Sequence, residues 1–200
     1  CGNGALCAAR YAYRLGIAGE KMRFETVAGI IEAEICAGEE VRLRMTEPFD
    51  LSTDIILFIG GQERRVAFIN TGVPHAVIFV EQDDTPVKEW GREVRFHHQF
   101  EPDGTNANFV TIKGKNEILA RTYERGVEDE TRACGTGAVA SAIIASIKKE
   151  CESPVTVITS GGDRLIIEFE RKDEGRVENV FLTGPARIIY TGELTAESLL

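Results

Sequence analysis

The sequence Cys-Gly-Thr-Gly at residues 134–137 leads directly into Ala-Val-Ala-Ser-Ala-Ile-Ile-Ala-Ser-Ile at residues 138–147. Apart from two serines it carries no polar residue, and a helix that is apolar on all sides is buried on all sides. We therefore expect residues 138–147 to form the central helix of a domain. Lys148 and Lys149 follow and suit the C-terminal end of such a helix.

The same motif occurs a second time, as Cys-Gly-Asn-Gly at residues 1–4. It leads into a stretch of good helix formers at residues 5–15, and Gly16 then supplies a stop signal. A helix N-terminus presents unpaired N–H groups and a partial positive charge, so it stabilises an anion and favours the thiolate form of a cysteine. The repeat predicts two thiols, Cys1 and Cys134, that face one substrate from opposite sides.

Most of the remaining sequence is typical of β-strands, with alternation or short β-branched runs separated by glycine-rich turns such as residues 60–61 and 173–175. About a dozen strands are predicted, at residues 22–27, 30–35, 40–45, 55–59, 65–70, 76–80, 109–113, 117–123, 155–160, 165–169, 177–182 and 187–191. A dozen strands with two helices predict an α+β fold of two pseudo-symmetric units, each a curled, mostly antiparallel sheet around a central helix. We place one unit at residues 46–187. The other, which is incomplete, comprises residues 1–45 and 188–200.

Composition argues against several classes of protein. The net charge of -9 and the absence of any Lys/Arg cluster argue against a nucleic-acid-binding surface. No apolar run approaches the ~20 residues of a membrane span, and we expect a cytoplasmic protein without membrane partners. The five cysteines, at positions 1, 7, 36, 134 and 151, have neither a disulfide framework nor the ligand spacing of a zinc site, so we expect reduced thiols and no bound metal.

Two cysteines at two helix starts suit the removal of a hydrogen from a carbon next to a carboxylate. The resulting carbanion places its charge on the carboxylate oxygens, which the backbone N–H groups of Gly2, Asn3, Gly135 and Thr136 would hold. With one thiolate as base and one thiol as acid, a proton leaves one face and another arrives on the opposite face. The product has the inverted configuration.

Other polar residues are candidates for tuning the thiols or binding the substrate. We expect His75, in a Gly/Pro turn, and Glu124, at a strand end, to set the pKa of the thiols. Arg125 can hold a carboxylate through two parallel bonds, and Asn106 and Asn108 offer amide groups to a zwitterionic ligand. The simpler interpretations are a turn histidine, a solvated ion pair and an Asn/Gly turn.

These residues, in this order, resemble the diaminopimelate epimerase family. The resemblance is carried by Cys-Gly-Asn-Gly-Ala-Leu-Cys at residues 1–7 and by Tyr-Glu-Arg-Gly at residues 123–126 followed by Ala-Cys-Gly-Thr-Gly-Ala at residues 133–138. Gly-Val-Pro-His at residues 72–75 and Thr-Gly-Pro-Ala at residues 183–186 are similar to two further family landmarks. The resemblance covers the whole sequence, and the two cysteine motifs in this order are highly specific.

The resemblance implies a cytoplasmic, homodimeric isomerase of lysine biosynthesis that interconverts LL- and meso-2,6-diaminopimelate and uses no cofactor. It implies that Cys1 and Cys134 are the catalytic proton donor and acceptor, with pKa values modulated by His75 and Glu124. It also implies a set of residues that bind the substrate: Gly2, Asn3, Asn106, Glu124, Arg125, Gly135 and Thr136. The two-unit fold agrees with the fold predicted from the strands and helices.

Three features depart from the family pattern. Val73 stands where many members have a substrate-binding asparagine, so that contact is either missing or supplied by Asn70. Leu6 stands where the family often has arginine. The upstream segment, with further substrate-binding asparagines, is absent from this sequence, and we expect the chain to be the downstream part of a longer protein.

Two alternatives stay open. Proline racemases and hydroxyproline epimerases resemble this protein in fold and in their two thiols, although the Tyr-Glu-Arg-Gly segment favours diaminopimelate. A redox-sensing dithiol protein without catalysis would also carry two helix-terminal cysteines. Exchange of a substrate proton distinguishes an epimerase from a sensor.

Overall fold

A computed structural model describes residues 2–26, 29–172 and 176–193, together with residues 195 and 197. Cys1, the end of the first predicted strand at residue 27 and the predicted turn at residues 173–175 lie outside the described residues. The α-helices within them are α1 (Gly2–Arg14), α2 (Val87–Arg95) and α3 (Gly135–Ile147), and a short 3-10 helix spans His98–Phe100. None of the described helices has the length and apolar character needed to span a membrane.

The described residues form twelve strands: β1 (Lys21–Thr26), β2 (Gly29–Ile35), β3 (Glu40–Arg44), β4 (Phe49–Ile59), β5 (Gln62–Asn70), β6 (Pro74–Phe79), β7 (Asn106–Gly114), β8 (Glu117–Glu124), β9 (Asp129–Thr131), β10 (Val155–Thr159), β11 (Arg164–Arg171) and β12 (Val177–Pro185). They make one mixed sheet in the order β1-β2-β3-β12-β11-β10-β8-β7-β6-β5-β4, and β9 pairs with the end of β8. Only the β6–β7 and β10–β8 pairs are parallel among the described strands. Because β12 pairs with β3, the strands near α1 and those near α3 belong to the same sheet.

Helix α3 lies inside the curl of this sheet. It packs against β5, β6, β7, β8, β10, β11 and β12, and every residue from 137 to 146 is buried. Each fully buried aliphatic side chain contributes about 1.5–3 kcal/mol, so packing rather than helix propensity stabilises α3. The predicted central helix is confirmed.

Helix α1 packs on β2 and β3 and also touches α3. Its buried residues are Leu6 and Ala9, and it ends before Gly16, whose φ of 69° requires glycine. Leu6, one of the departures from the family pattern, belongs to the same apolar core as α3. The α+β fold, with each Cys-Gly-x-Gly motif opening a helix that packs on the sheet, is as expected.

Helix α2 was not predicted, so the expectation of two helices was wrong. Val87, Trp90, Gly91 and Val94 have the i, i+3, i+4, i+7 spacing of an amphipathic helix, and Pro86 precedes it, so the signal was present. The helix packs on β7 and β8. It lies on the sheet face opposite to α3, because alternate residues of β7 point into two separate apolar cores.

The strand predicted at residues 187–191 was also wrong. β12 ends at Pro185, and residues 186–193 have no regular secondary structure. The apolar residues Ile189 and Tyr190 are 83% and 85% exposed, so the β-branched pattern alone does not make a strand. Strand β9 was missed for the converse reason: its acidic sequence has low strand propensity, and pairing with Thr122–Glu124 makes it a strand. The division into residues 46–187 and residues 1–45 with 188–200 stays a prediction.

Candidate active site

The starts of α1 and α3 lie against each other. A methyl group added at Gly2 would lie 3.8 Å from the Cα of Gly135, and one added at Gly135 would lie 3.7 Å from the Cα of Gly2. The side-chain nitrogen of Asn3 donates to the carbonyl oxygen of Ala133 at 3.3 Å, which ties the start of α1 to the residue before Cys134. The unpaired N–H groups of both first turns are therefore brought close together.

Cys134 is the N-cap residue of α3. Its backbone is extended, with φ -125° and ψ 108°, and its carbonyl oxygen accepts the first helical hydrogen bond from the Ala138 N–H at 2.9 Å. Its Sγ lies 3.5 Å from the Thr136 hydroxyl oxygen. The other predicted catalytic residue, Cys1, lies outside the described residues.

The environment of Cys134 favours the protonated thiol. Burial raises the pKa of the Cys134 thiol, and the Glu124 carboxylate raises it further, whereas the Thr136 hydroxyl and the N–H groups of Thr136 and Gly137 lower it. The net direction is upward, which is opposite to the effect that a helix start alone would have on a thiol. Desolvation of the thiolate outweighs the helix dipole at this position.

His75, near the start of β6, is fully buried and is hydrogen-bonded at both ring nitrogens. Nδ1 lies 3.0 Å from the Asn108 amide nitrogen, and Nε2 lies 3.0 Å from the Thr136 hydroxyl oxygen. Burial lowers the pKa of His75 to about 3, and the positive charge of Arg125 acts in the same direction. His75 is thus a neutral imidazole near pH 7, and its hydrogen bonds connect it to Cys134 through Thr136.

Glu124 and Arg125 follow one another at the end of β8. Within the described part of the chain neither side chain has a salt-bridge partner, so the simpler interpretation as an ion pair does not describe them. The charge of Glu124 acts on Cys134 and that of Arg125 acts on His75. The Arg125 guanidinium donates to the carbonyl oxygen of Asp103 at 3.1 Å.

Asn106 and Asn108 are buried on β7, and both bond to the protein. The Asn106 amide nitrogen donates to the Pro74 carbonyl oxygen at 3.0 Å, and its oxygen accepts from the Arg125 N–H at 2.7 Å. Asn106 thus fixes the turn before His75 relative to Arg125. The expectation that Asn108 offers its amide to a ligand is wrong, because its nitrogen already donates twice within the protein.

The glycines after Cys134 make room for neighbouring side chains. A methyl group at Gly137 would lie 2.5 Å from Asn108 Oδ1 and 3.1 Å from Thr122 Oγ1. One at Gly135 would lie 3.2 Å from a methyl carbon of Leu182. The Asn108 and Thr122 side chains, on β7 and β8, thus leave no room for a side chain at residue 137.

Sequence reasoning missed two hydroxyl groups. The Thr136 side chain joins His75 to Cys134, and Thr122 donates to the Asn108 oxygen at 2.9 Å. A polar residue at a buried position of a strand was the available signal for Thr122, since it needs a partner there.

A cleft of about 670 Å³ opens beside Arg125, and Asn70, Pro74 and Gly104 are among the residues that line it. The Asn70 side-chain oxygen accepts from the Gly72 N–H at 3.0 Å, and Asn70 is half-buried at the wall of this cleft. That Asn70 supplies the contact missing at Val73 stays a prediction.

The chain is similar to known diaminopimelate epimerases. The family model described as diaminopimelate epimerase matches residues 67–189. The diaminopimelate epimerase of Aquifex aeolicus is 46% identical over 202 residues, a match that covers 100% of this chain and 71% of that protein. The one from a Hydrogenobaculum species is 41% identical and covers 98% of this chain and 70% of that protein.

Solved structures share the fold at much lower sequence identity. A probable proline racemase from Agrobacterium radiobacter K84 has a TM-score of 0.71 at 15% identity, covering 96% of this chain and 66% of that chain. Such a likeness shows the fold alone, and this chain spans about two thirds of the racemase. The matches of sequence are longer and far closer, and they show that the chain belongs to the diaminopimelate epimerase family and is an epimerase.

Proposed function

We propose that this protein interconverts LL- and meso-2,6-diaminopimelate by moving a proton at the α-carbon between Cys1 and Cys134. The observation that carries the proposal is the meeting of the two Cys-Gly-x-Gly helix starts, with Gly2 beside Gly135. The substrate is inferred from the relatives, which bear the name diaminopimelate epimerase.

The two helix starts would hold the α-carboxylate of the substrate. The N–H groups of Gly2 and Asn3 belong to the first turn of α1, and those of Gly135 and Thr136 belong to the first turn of α3. First-turn N–H groups have no partner within their own helix, and they carry the positive end of the helix dipole. They would stabilise the negative charge that reaches the carboxylate oxygens when the α-proton leaves.

Cys134 would act first as the acid. Its raised pKa keeps the proton on sulfur near pH 7, so it can donate that proton to the carbanion while a Cys1 thiolate accepts the α-proton from the opposite face. One C–H bond breaks as Cys1 takes the α-proton, and another forms as the Cys134 proton reaches the α-carbon. Cys1 ends as the thiol and Cys134 as the thiolate. In the reverse direction Cys134 is the thiolate, and the Thr136 hydroxyl is the donor placed to stabilise it.

The distal amino acid end of diaminopimelate would lie near Arg125. A guanidinium suits a carboxylate and the Glu124 carboxylate suits an ammonium group, and the cleft offers space next to Arg125. Asn106, which accepts from the Arg125 N–H, would help to bind that end. A requirement for two amino acid ends would discriminate against proline. We further propose the setting that the family implies: a cytoplasmic homodimer in lysine biosynthesis.

The test is proton exchange at the α-carbon. The full gene product, reduced and mixed with LL-diaminopimelate in deuterated water, is expected to place deuterium in the inverted product. Cys134→Ala is expected to lose at least about 100-fold in this rate, since general acid–base catalysis contributes about 10²–10⁴-fold. Cys36→Ala, which removes a thiol between β2 and β3, is the matched control and keeps the rate.

Other outcomes would support the alternatives. Exchange with proline and not with diaminopimelate would assign the racemase activity instead. Absence of exchange with either, combined with reversible disulfide formation between the two thiols, would support a redox sensor.

A further inference from the structure

The orientation of the Asn108 amide is fixed by a backbone carbonyl. One end of this amide lies 3.1 Å from the carbonyl oxygen of Ala76, which can only accept a hydrogen bond. That end must therefore be the NH₂ group, because an amide oxygen there would face another oxygen. The other end accepts from the Thr122 hydroxyl at 2.9 Å, which agrees with this orientation.

The orientation of Asn108 determines where the His75 proton is. The same NH₂ group lies 3.0 Å from His75 Nδ1, so Nδ1 must be the unprotonated, accepting nitrogen. A neutral imidazole carries one proton, which is then on Nε2. This Nε2–H points to the Thr136 hydroxyl oxygen at 3.0 Å.

The position of the Thr136 proton follows in turn. Its oxygen accepts from His75, so its own hydrogen is free for another acceptor. Among the described residues, the acceptor in reach is Cys134 Sγ at 3.5 Å. A second bond, from the Thr71 hydroxyl to the Thr136 carbonyl oxygen at 3.1 Å, holds Thr136 in place.

We propose that Asn108 is a positioning residue, which holds His75 as the Nε2–H tautomer so that the Thr136 hydroxyl donates its hydrogen to Cys134. All the donors then point the same way, from Asn108 through His75 and Thr136 to the sulfur. Asn108 is buried and need not touch the substrate to do this.

The direction of this chain has a chemical consequence. His75 cannot accept the Cys134 proton through Thr136, because its Nε2 is already protonated and its Nδ1 faces an N–H. Cys134 and His75 therefore do not form a thiolate–imidazolium pair. The Cys134 proton can be transferred to the substrate and not to His75. This row of hydrogen bonds provides a donor to the Cys134 thiolate and does not provide a base that competes for its proton.

The first test reads the tautomer directly and needs no activity. Nitrogen-15 NMR of histidine-labelled protein is expected to show His75 with Nδ1 unprotonated and Nε2 protonated; His97 and His98 are internal references. Asn108→Asp replaces the donor to His75 by an acceptor. Carbon-13 NMR shows the ionisation state of the new carboxyl group, and opposite an ionised carboxylate the His75 proton is expected on Nδ1. A wild-type His75 protonated on Nδ1, or an unchanged tautomer in this variant, would overturn the proposal.

The second test does not require Asn108 to be changed. The rate at which iodoacetamide alkylates Cys134 at fixed pH, followed by mass spectrometry, reports its thiolate fraction. Thr136→Val removes the hydroxyl and is expected to slow this alkylation about tenfold, whereas Thr136→Ser keeps it within about twofold. Equal rates for the two variants would overturn the proposal, and the rate at Cys36 in the same samples checks the reagent.

The catalytic role of these hydrogen bonds rests on the proposed function, but the two tests of them do not. A protein with the expected tautomer and alkylation rates that fails to exchange the α-proton would contradict the proposed function alone. A protein that exchanges the α-proton with the opposite tautomer would contradict the role of Asn108 alone.

Discussion

At the scale of single residues, Gly137 shows how tightly the site is packed from behind. Its Cα lies against the Asn108 and Thr122 side chains, which hydrogen-bond to each other across β7 and β8. A side chain at residue 137 would therefore displace the Asn108 amide, which orients His75. The effect on His75 would be indirect, because no hydrogen bond among the described residues joins residue 137 to His75.

We predict that Gly137→Ala lowers both stability and epimerase activity. Its methyl group would lie 2.5 Å from Asn108 Oδ1, and relieving the clash is expected to cost about 1–3 kcal/mol in the free energy of unfolding. Gly19→Ala is the matched control, because a methyl group at Gly19 has no neighbour within 4 Å among the described residues. Urea denaturation and α-proton exchange measure the two effects. Equal midpoints for the two variants would contradict this explanation.

The sequence shows which residues matter here better than it shows why. The motif at residues 134–137 was recognisable, and so was His75. The connection between them passes through the Thr136 hydroxyl and through Asn108 and Thr122, which become neighbours only when β6, β7 and β8 pair. Spacing along the chain contains no information on that pairing, and it also could not show that burial outweighs the helix dipole at Cys134.

At the scale of elements, a glycine allows α2 to pack closely on the sheet. Gly91 lies in the middle of the helix, where glycine costs about 1 kcal/mol relative to alanine. A methyl group there would lie 2.3 Å from the Cβ of Tyr123, which is buried on β8. Close packing of helix and strand therefore requires the glycine despite its cost to the helix.

We predict that Gly91→Ala destabilises the protein, by about 1–3 kcal/mol, rather than stabilising it through better helix propensity. Glu89→Ala, at an exposed position of the same helix, is expected to change the free energy of unfolding by less than about 0.5 kcal/mol. Thermal and urea unfolding of both variants measure this. A gain in stability for Gly91→Ala would show that α2 can move away from β8 at little cost.

Elements with a strong hydrophobic pattern were predictable, and those made by pairing were not. Helix α3 follows from its composition alone, since no amphipathic alternative exists for ten apolar and small residues. The range 187–191 has an equally good strand pattern but no ladder among the described residues, whereas Asp129–Thr131 has a poor pattern and a ladder with β8. Tertiary hydrogen bonding decided both cases, and a local pattern does not report it.

At the scale of the whole molecule, the sheet and the buried histidine are coupled. The single sheet brings β6, β7 and β8 around the start of α3, and it thereby encloses His75 with no exposed surface. Burial of a titratable group links the protonation of one residue to the stability of the entire fold.

We predict that the free energy of unfolding falls as the pH drops from about 6.5 towards 3, partly because of His75. Its pKa is about 3 in the folded protein, against 6.5 for a histidine in water, so below pH 6.5 the unfolded chain binds a proton that the folded chain does not. Above pH 6.5 His75 is neutral in both states and does not change the free energy of unfolding. Below pH 6.5 protonation of the unfolded chain lowers the free energy of unfolding, increasingly so as the pH falls. At about 1.4 kcal/mol per pH unit, the loss is on the order of 4 kcal/mol at the acid end.

Urea denaturation at a series of pH values separates this contribution from the others. His75→Gln keeps a donor for Thr136 but does not titrate, so its stability should decline less steeply between pH 6.5 and 4 than that of the wild type. The acidic residues titrate in both proteins, so their contribution cancels in the comparison. Parallel curves for His75→Gln and wild type would mean that His75 takes up a proton in the folded state, and that the neutral imidazole required between Asn108 and Thr136 does not persist below pH 6.5.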